Sequence, residues 1–239
     1  MSTILITGAS AGIGAATARH FLAHGWTVGL LARSTDKLEE LAAGHDRAIV
    51  LPADVTDEDQ VADAFARFAA TAGRLDVLFN NAGMFGTQAP IDEIPVAEWR
   101  RIVEVNLTGM FLCARASFAQ MRHQAPMGGR IINNGSISAH VPREGSVSYT
   151  ATKHAITGLT KSLSLDGRPF DIACGQIDIG NARTDLLDGI IARSPANPPP
   201  VMEVEEVAKT VLHMAELPLS ANVQFMTLMA TKMPYIGRG

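Results

Sequence analysis

A short apolar run, Thr3 to Thr7, breaks into Thr7-Gly8-Ala9-Ser10-Ala11-Gly12-Ile13-Gly14 and then into a helical stretch that reaches about His24. This constrains the fold more than any other stretch. A buried parallel strand that ends in glycines and feeds a helix opens an α/β sheet. Free amides and the dipole at the helix start attract an anion, and glycines let a pyrophosphate come close. The spacing is G-x-x-x-G-x-G, not the commoner G-x-G-x-x-G. A glycine turn also serves as a plain strand–helix connection. Its place at the first strand favours nucleotide binding through Gly8, Gly12 and Gly14.

The alternation continues down the chain. Thr27 to Arg33 reads as a second strand, Asp36 to Ala43 as a helix, and Ala48 to Leu51 as a third strand. Where the second strand ends, an acidic residue would bind an adenosine ribose hydroxyl; here stand Ala32 and Arg33, with Ser34 and Thr35 beside them. A guanidinium is always charged and suits a 2′-phosphate, so NADP(H) is expected over NAD(H). Ala11 stands where a basic residue would give a second phosphate contact. Asp54, at the third strand's end, is placed to bond an adenine amino group. Thr56 or Asp57 caps the next helix, about residues 58 to 72. Leu75 to Phe79 is a fourth strand ending in Asn80-Asn81-Ala82-Gly83, and Trp99 to Arg122 a long helical stretch. Further strands follow at Arg130 to Asn134, Phe170 to Ile179 and Val223 to Leu228, with a helix at Glu203 to Ala215. Successive β-α units imply a parallel, right-handed, doubly wound sheet, with ligands beyond the carboxyl ends of its strands.

At those ends lies reactive chemistry. Tyr149 and Lys153 are four apart in a stretch with helical spacing (Ala151, Ala155, Ile156, Leu159, Leu163), started by Ser146 or Ser148. That spacing puts them on one helix face, one turn apart. A nearby ammonium favours the phenolate, so the tyrosine is expected to be more acidic than a free phenol, poised to trade a proton with an alcohol or carbonyl oxygen. Alone, Y-x-x-x-K is common and fits an ordinary helix. Ser136, at the fifth strand's end, can donate to the same substrate oxygen.

Composition bounds the rest. The 239 residues suit a single domain, and 47% hydrophobic with 18% charged residues indicates a globular chain. A net charge of -4 argues against nucleic acid or an anionic membrane as partner. Cys113 and Cys174 read as buried free thiols of a reducing compartment. The N-terminus lacks a signal peptide's basic region, and no apolar run looks long enough to span a membrane, so a cytoplasmic location is expected. His20 and His24, four apart on the first helix, make a poor zinc site without further ligands, and no metal is expected.

Thr7-Gly8-x-x-x-Gly12-x-Gly14, Asp54, Asn80-Asn81-Ala82-Gly83, Asn106, Ser136, Tyr149 and Lys153 stand in the order of the motifs of the short-chain dehydrogenase/reductase family. Over essentially its whole length the chain resembles that family's ordinary-length branch. The resemblance implies a Rossmann-type fold of about seven parallel strands with helices on both faces, and hydride transfer between a nicotinamide and a carbonyl or secondary alcohol. It implies catalysis by Ser136, Tyr149 and Lys153, with Asn106 holding a water that links the lysine to solvent. Ser10, Ile13, Val55, Asn81, Ala82 and Gly83 would join the glycines around the cofactor, with Lys153 on the nicotinamide ribose. Ile179 stands where the family usually has proline; its backbone and Thr184 would contact the carboxamide.

A substrate lid is expected over about 181 to 202, where Leu186, Leu187, Ile190 and Ile191 repeat with helical spacing. Met84, Phe85, Ser138 and Leu187 would line the substrate site. Surplus apolar residues on the longer helices point to a homodimer or homotetramer. Two other readings stand beside the small-molecule reductase: a nucleotide-sensing module on the same fold, and a β-ketoacyl-thioester reductase using Arg143 and Arg183 as basic contacts.

Overall fold

The computed structural model describes residues 2–184, 187 and 198–236. Its centre is β1 (Thr3–Thr7), whose five residues are all buried. Parallel partners flank it, β2 (Thr27–Ala32) and β4 (Val77–Asn80). Beyond β2 lies β3 (Ala48–Pro52). Beyond β4 come β5 (Gly129–Asn134), β6 (Ile172–Ile179) and β7 (Phe225–Leu228), giving the order β3-β2-β1-β4-β5-β6-β7. Strand order reverses between β1 and β4. The crevice that opens there, at the carboxyl ends, is where such sheets bind ligands.

Alternation along the strands assigns the two faces. Ile4 and Ile6 point to one core, with Phe21 and Leu22 of α1 (Gly12–Ala23), Leu38 and Leu41 of α2 (Thr35–Ala42), and Val207 and Val211 of α7 (Val204–Glu216). Leu5 points to the other, with Phe65 and Phe68 of α3 (Glu58–Ala72) and Cys113 and Met121 of α5 (Gly109–His123). Asp57 caps α3, accepting from Gln60 N at 3.0 Å, while Gln60 Nε2 reaches back to its other oxygen at 2.8 Å. Arg130 is buried at the opposite sheet end and donates to the carbonyls of Leu217, Pro218 and Ala221, fixing the turn that leads into β7.

Three local readings are corrected. The stretch expected from Trp99 to Arg122 begins earlier, as α4 (Val96–Val103), and passes through a π-helical turn at Glu104–Thr108 before α5. An extra residue per turn shifts which side chains face inward, and Asn106 sits at that shift. Within the 28 residues Val96–His123 one window is long and apolar enough to cross a membrane, against the sequence reading. The α5 part of this stretch carries the buried Met110, Cys113 and Met121, which pack in the fold. Ser146 begins α6 (Val147–Gly167) without a side-chain cap; its hydroxyl donates instead to Arg143 O at 2.8 Å. Of the expected lid residues, Leu186, Ile190 and Ile191 lie outside the described residues.

Candidate active site

A cleft of about 550 Å³ opens at the switch point. Gly8, Ser10, Gly12, Ile13, Arg33, Asp54, Val55, Asn81, Ala82 and Gly83 line one part of it. Met84, Ser136, Ser138, Tyr149, Lys153, Ile179, Thr184 and Leu187 line the rest. Of the catalytic and cofactor residues singled out from sequence, Gly14 and Asn106 do not border it, and each supports a wall; Arg183, the second basic contact expected, does not border it either.

The phosphate end is built from missing side chains. Gly8 and Gly12 have φ of +68° and +51°, the left-handed region that favours glycine. A Cβ on Gly14 would lie 2.2 Å from Gly8 O, so a glycine is what lets α1 start against the turn. Ala11, at the N-cap, offers no side-chain acceptor, and the first turn of α1 holds no acid. Its leading amides are left for a ligand in the cleft. Behind them, Thr7 Oγ1 accepts from Asn81 N (2.8 Å) and Ala82 N (2.9 Å), and Asn81 Nδ2 donates to Thr7 O at 2.9 Å. The Asn-Asn-Ala-Gly turn is thereby pinned to β1. This uncapped, side-chain-free cradle fits a dinucleotide pyrophosphate.

Arg33 projects from the end of β2 with its side chain two-thirds exposed, and Nη1 lies 3.8 Å from Asp54 Oδ2. The other Asp54 oxygen accepts from Thr56 N (3.0 Å) and Thr56 Oγ1 (2.8 Å). The guanidinium is thus loosely held at the rim of this part of the cleft.

The chemical end gathers β5, β6 and α6. Ser136 follows β5; its N–H donates to Asp178 Oδ1 at 2.9 Å, and its Oγ accepts from Ser138 N at 3.1 Å. Phe85 stacks on Tyr149 with ring centres 4.2 Å apart. Burial pushes the Tyr149 phenol up to about 12, against hydrogen bonding by Ser136 and the Arg143 charge, which both lower it. Lys153 is buried, donates to Asn134 O at 2.7 Å, and has Nζ 5.4 Å from the centre of the Tyr149 ring. Burial brings its pKa down to about 8, while the Asp178 charge works to raise it. The acidic tyrosine expected from the Tyr–Lys spacing is therefore not what the site holds; loss of hydration outweighs Ser136 and Arg143.

Asn106 was expected to hold a relay water. Its Oδ1 accepts from Met84 N at 2.8 Å, and its Nδ2 donates to Met84 O (2.9 Å) and Thr152 Oγ1 (3.3 Å). One amide hydrogen braces the loop after Gly83 and the other reaches Thr152 on α6. Ile179 ends β6, buried and paired with Leu228. Thr184 lies beside Gly12, its methyl 3.1 Å from where a Cβ on that glycine would sit. Cys113 and Cys174 are buried thiols, each pushed up to about 12 by burial. His24 Nδ1 lies 2.7 Å from His20 O.

Sequence reading missed Asp178 and His140. Asp178 is buried behind Ser136 and takes bonds from Ser136 N, Gln176 Nε2 (2.7 Å) and His140 Nε2 (2.8 Å). The available signal was an acid inside the apolar run Ile177-Asp178-Ile179.

Sheet order, cradle and polar cluster together define a dinucleotide-binding oxidoreductase of the doubly wound class. The family model for short chain dehydrogenase matches residues 2–194, and the chain belongs to that family of nicotinamide-dependent oxidoreductases acting on CH–OH groups. Among its relatives is cis-4-hydroxycyclohexanecarboxylate dehydrogenase of Sinomonas cyclohexanicum, 38% identical over 88% of each chain. The closed form of a serine dehydrogenase complexed with NADP+ superposes with a TM-score of 0.90 at 26% identity, covering 99% of this chain and 98% of that one. A 3-ketoacyl-(acyl-carrier-protein) reductase from Brucella melitensis complexed with NADH gives 0.86 at 25% identity, covering 95% and 96%.

Proposed function

We propose that this protein is an NADP(H)-dependent reductase and dehydrogenase that interconverts a carbonyl and a secondary alcohol through Ser136, Tyr149 and Lys153. The observation that carries the reading is the convergence of those three side chains on one end of a cleft whose other end is an anion cradle. A nicotinamide cofactor, when bound, supplies or takes up the hydride. Ser138 N–H donates to the Ser136 oxygen, and the serine's own proton, which faces Tyr149, can be turned to a substrate oxygen. Tyr149, a neutral phenol in this site, gives its proton to the same oxygen as negative charge develops. Lys153, steered by Asn134 O, holds positive charge beneath the tyrosine. Asn106 supports the Met84–Phe85 wall, and Phe85 shields Tyr149 from water.

Preference for NADP(H) rests on Arg33 at the end of β2, where no acid stands to meet a ribose hydroxyl. The exposed apolar side chains of Trp99, Phe111 and Leu165 support a homodimer or homotetramer. The thioester reading loses one of its two cations, since Arg183 Nη1 lies 3.4 Å from Glu203 Oε1. Oxidation of NADPH and of NADH should be followed over simple ketones, keto acids and 3-ketoacyl thioesters, and the reverse reaction over hydroxy acids such as serine and 4-hydroxycyclohexanecarboxylate. Tyr149→Phe is expected to lower kcat by about 10²–10⁴ with cofactor binding kept. Full turnover by that variant would refute the assignment; cofactor binding without any turnover would favour a sensor.

A further inference from the structure

We propose that Arg143 is the specificity-determining residue of this cleft, and that the substrate it selects is a keto or hydroxy acid whose carboxylate it binds. This rests on the reductase reading and names the substrate class of that site.

Arg143 lies in the loop between β5 and α6, and that loop is fixed from two sides. The Arg143 carbonyl accepts from Ser146 Oγ at 2.8 Å. Gln88 Nε2 donates to Glu144 O at 3.1 Å, and Ala89 N to Gly145 O at 3.1 Å. Gly145 makes the turn with φ +68°. A backbone held this firmly aims one side chain.

That side chain borders the same cleft as Tyr149 and Ser138. Its Nη2 donates to Asn181 Oδ1 at 2.8 Å. Asn181 is buried and held from behind, with Nδ2 on Pro200 O at 3.2 Å and its carbonyl on Met202 N at 2.9 Å. The guanidinium is thus oriented by a neutral amide. Several other arginines meet acids, Arg33 facing Asp54, Arg74 Asp76, Arg115 Glu58 and Arg183 Glu203, while Arg47 and Arg130 donate to carbonyls. Among the described residues no carboxylate pairs with Arg143. Its charge and most of its donors are left for what enters the cleft.

The position matches the reaction. Three arginines, Arg33, Arg101 and Arg143, border the cleft, and Arg143 is the one whose charge bears on Tyr149. The same cleft carries apolar wall from Met84, Phe85 and Leu187. A ligand suited to these features has a carbonyl or hydroxyl at one end, an apolar spacer, and a planar anion at the other. A carboxylate matches the guanidinium fork with two parallel bonds. A single oriented arginine also matches a monoanion better than a phosphate dianion.

The test compares keto acids of increasing spacer length with their methyl esters, in wild type, Arg143→Met and Arg143→Lys. Wild type is expected to favour the best acid over its ester by roughly 10- to 100-fold in kcat/KM, the worth of a charge-assisted hydrogen bond. In Arg143→Met that ratio falls toward one; Arg143→Lys keeps part of it, because the charge remains and the fork does not. Alongside, cyclohexanecarboxylate is titrated calorimetrically into the NADP+ complex of each protein. Binding at least 10-fold weaker in Arg143→Met is expected. An acid-to-ester ratio near one in wild type, a ratio that Arg143→Met leaves unchanged, or equal carboxylate binding would each overturn the assignment. Melting temperature and NADPH binding report whether the variants fold. Because the titration needs no turnover, Tyr149→Phe retaining activity would sink the reductase reading, while the titration alone still decides the role of Arg143.

Discussion

Asp178 offers the sharpest test of how this site is held. Replaced by alanine, it takes away three acceptor contacts of unequal weight. Ser136 N–H is buried and loses its partner outright, which costs about 1–3 kcal/mol. Gln176 Nε2 keeps Thr157 Oγ1 at 3.1 Å, so its loss is one charge-assisted bond, about 1 kcal/mol more. His140, two-fifths exposed, turns to water at little cost. Asp178→Ala is therefore expected to destabilise by about 2–4 kcal/mol. Asp178→Asn keeps the shape and an oxygen for Ser136, and relieves the hydration lost by a buried anion; it should cost about 1 kcal/mol or less. Chemical denaturation of the two variants gives these figures. The same pair separates packing from charge in catalysis. The Asp178 charge holds Lys153 higher than burial alone would, so Asp178→Asn should move the Lys153 titration below about 8. Any alkaline limb of the kcat/KM profile that reports this lysine then shifts to lower pH. Equal stability of Asp178→Ala and wild type, or a limb that moves to higher pH in Asp178→Asn, would refute this account of the site.

Two further outcomes follow from the same geometry. Gly14→Ala places a Cβ 2.2 Å from Gly8 O and 2.8 Å from Asn81 Nδ2, backbone and a pinned amide that cannot both yield; NADPH binding followed by fluorescence should weaken at least ~10-fold, and binding at wild-type strength would remove the cradle as its site. Stability against pH carries opposed signs. Lys153 has a folded pKa of about 8, below its ordinary 10.5, so its charged form penalises the native state fully below pH 8 and the penalty fades up to 10.5. Cys113 and Cys174, raised from 9.0 to about 12, act the other way and withdraw stability above pH 9. Denaturation curves of wild type and Lys153→Met should therefore converge or cross between pH 8 and 10.5 in favour of wild type, with both losing stability above pH 9. A difference that does not change with pH would contradict the buried lysine.

How much of this was legible in the residues depends on the range of the interactions. Glycines and strand ends announced themselves, because a positive φ at Gly8 and Gly12 and a close approach at Gly14 are local demands that only one residue type meets. Tyr149 and Lys153 were visible because helical spacing is local too. Asp178 was not, since its meaning comes from Ser136, 42 residues away just past the end of the neighbouring strand, and from His140, 38 away. Asn106 was legible as a position and not as a contact. The π-helical turn that re-aims its amide at Met84 has no residue signature, and the bond spans 22 residues.

The Tyr149–Lys153 pair shows where spacing misleads and why the site still makes chemical sense. Spacing put the two on one helix face, and from that a depressed phenol was expected. The lysine, however, spends a hydrogen on Asn134 O, and the phenol sits under Phe85 in a cleft that strips its hydration. Desolvation of the phenolate then competes with the Ser136 hydrogen bond and the Arg143 charge, and desolvation wins. The result is a tyrosine that keeps its proton at neutral pH and a lysine poised near neutrality. A protonated phenol is the form that can give a proton to a nascent alkoxide. Running the other way, from alcohol to carbonyl, requires the phenolate, which this environment disfavours unless more positive charge enters the cleft. Its neighbours Asp178 and Arg143 pull the tyrosine in opposite senses, so each is a handle on how firmly the phenol holds its proton.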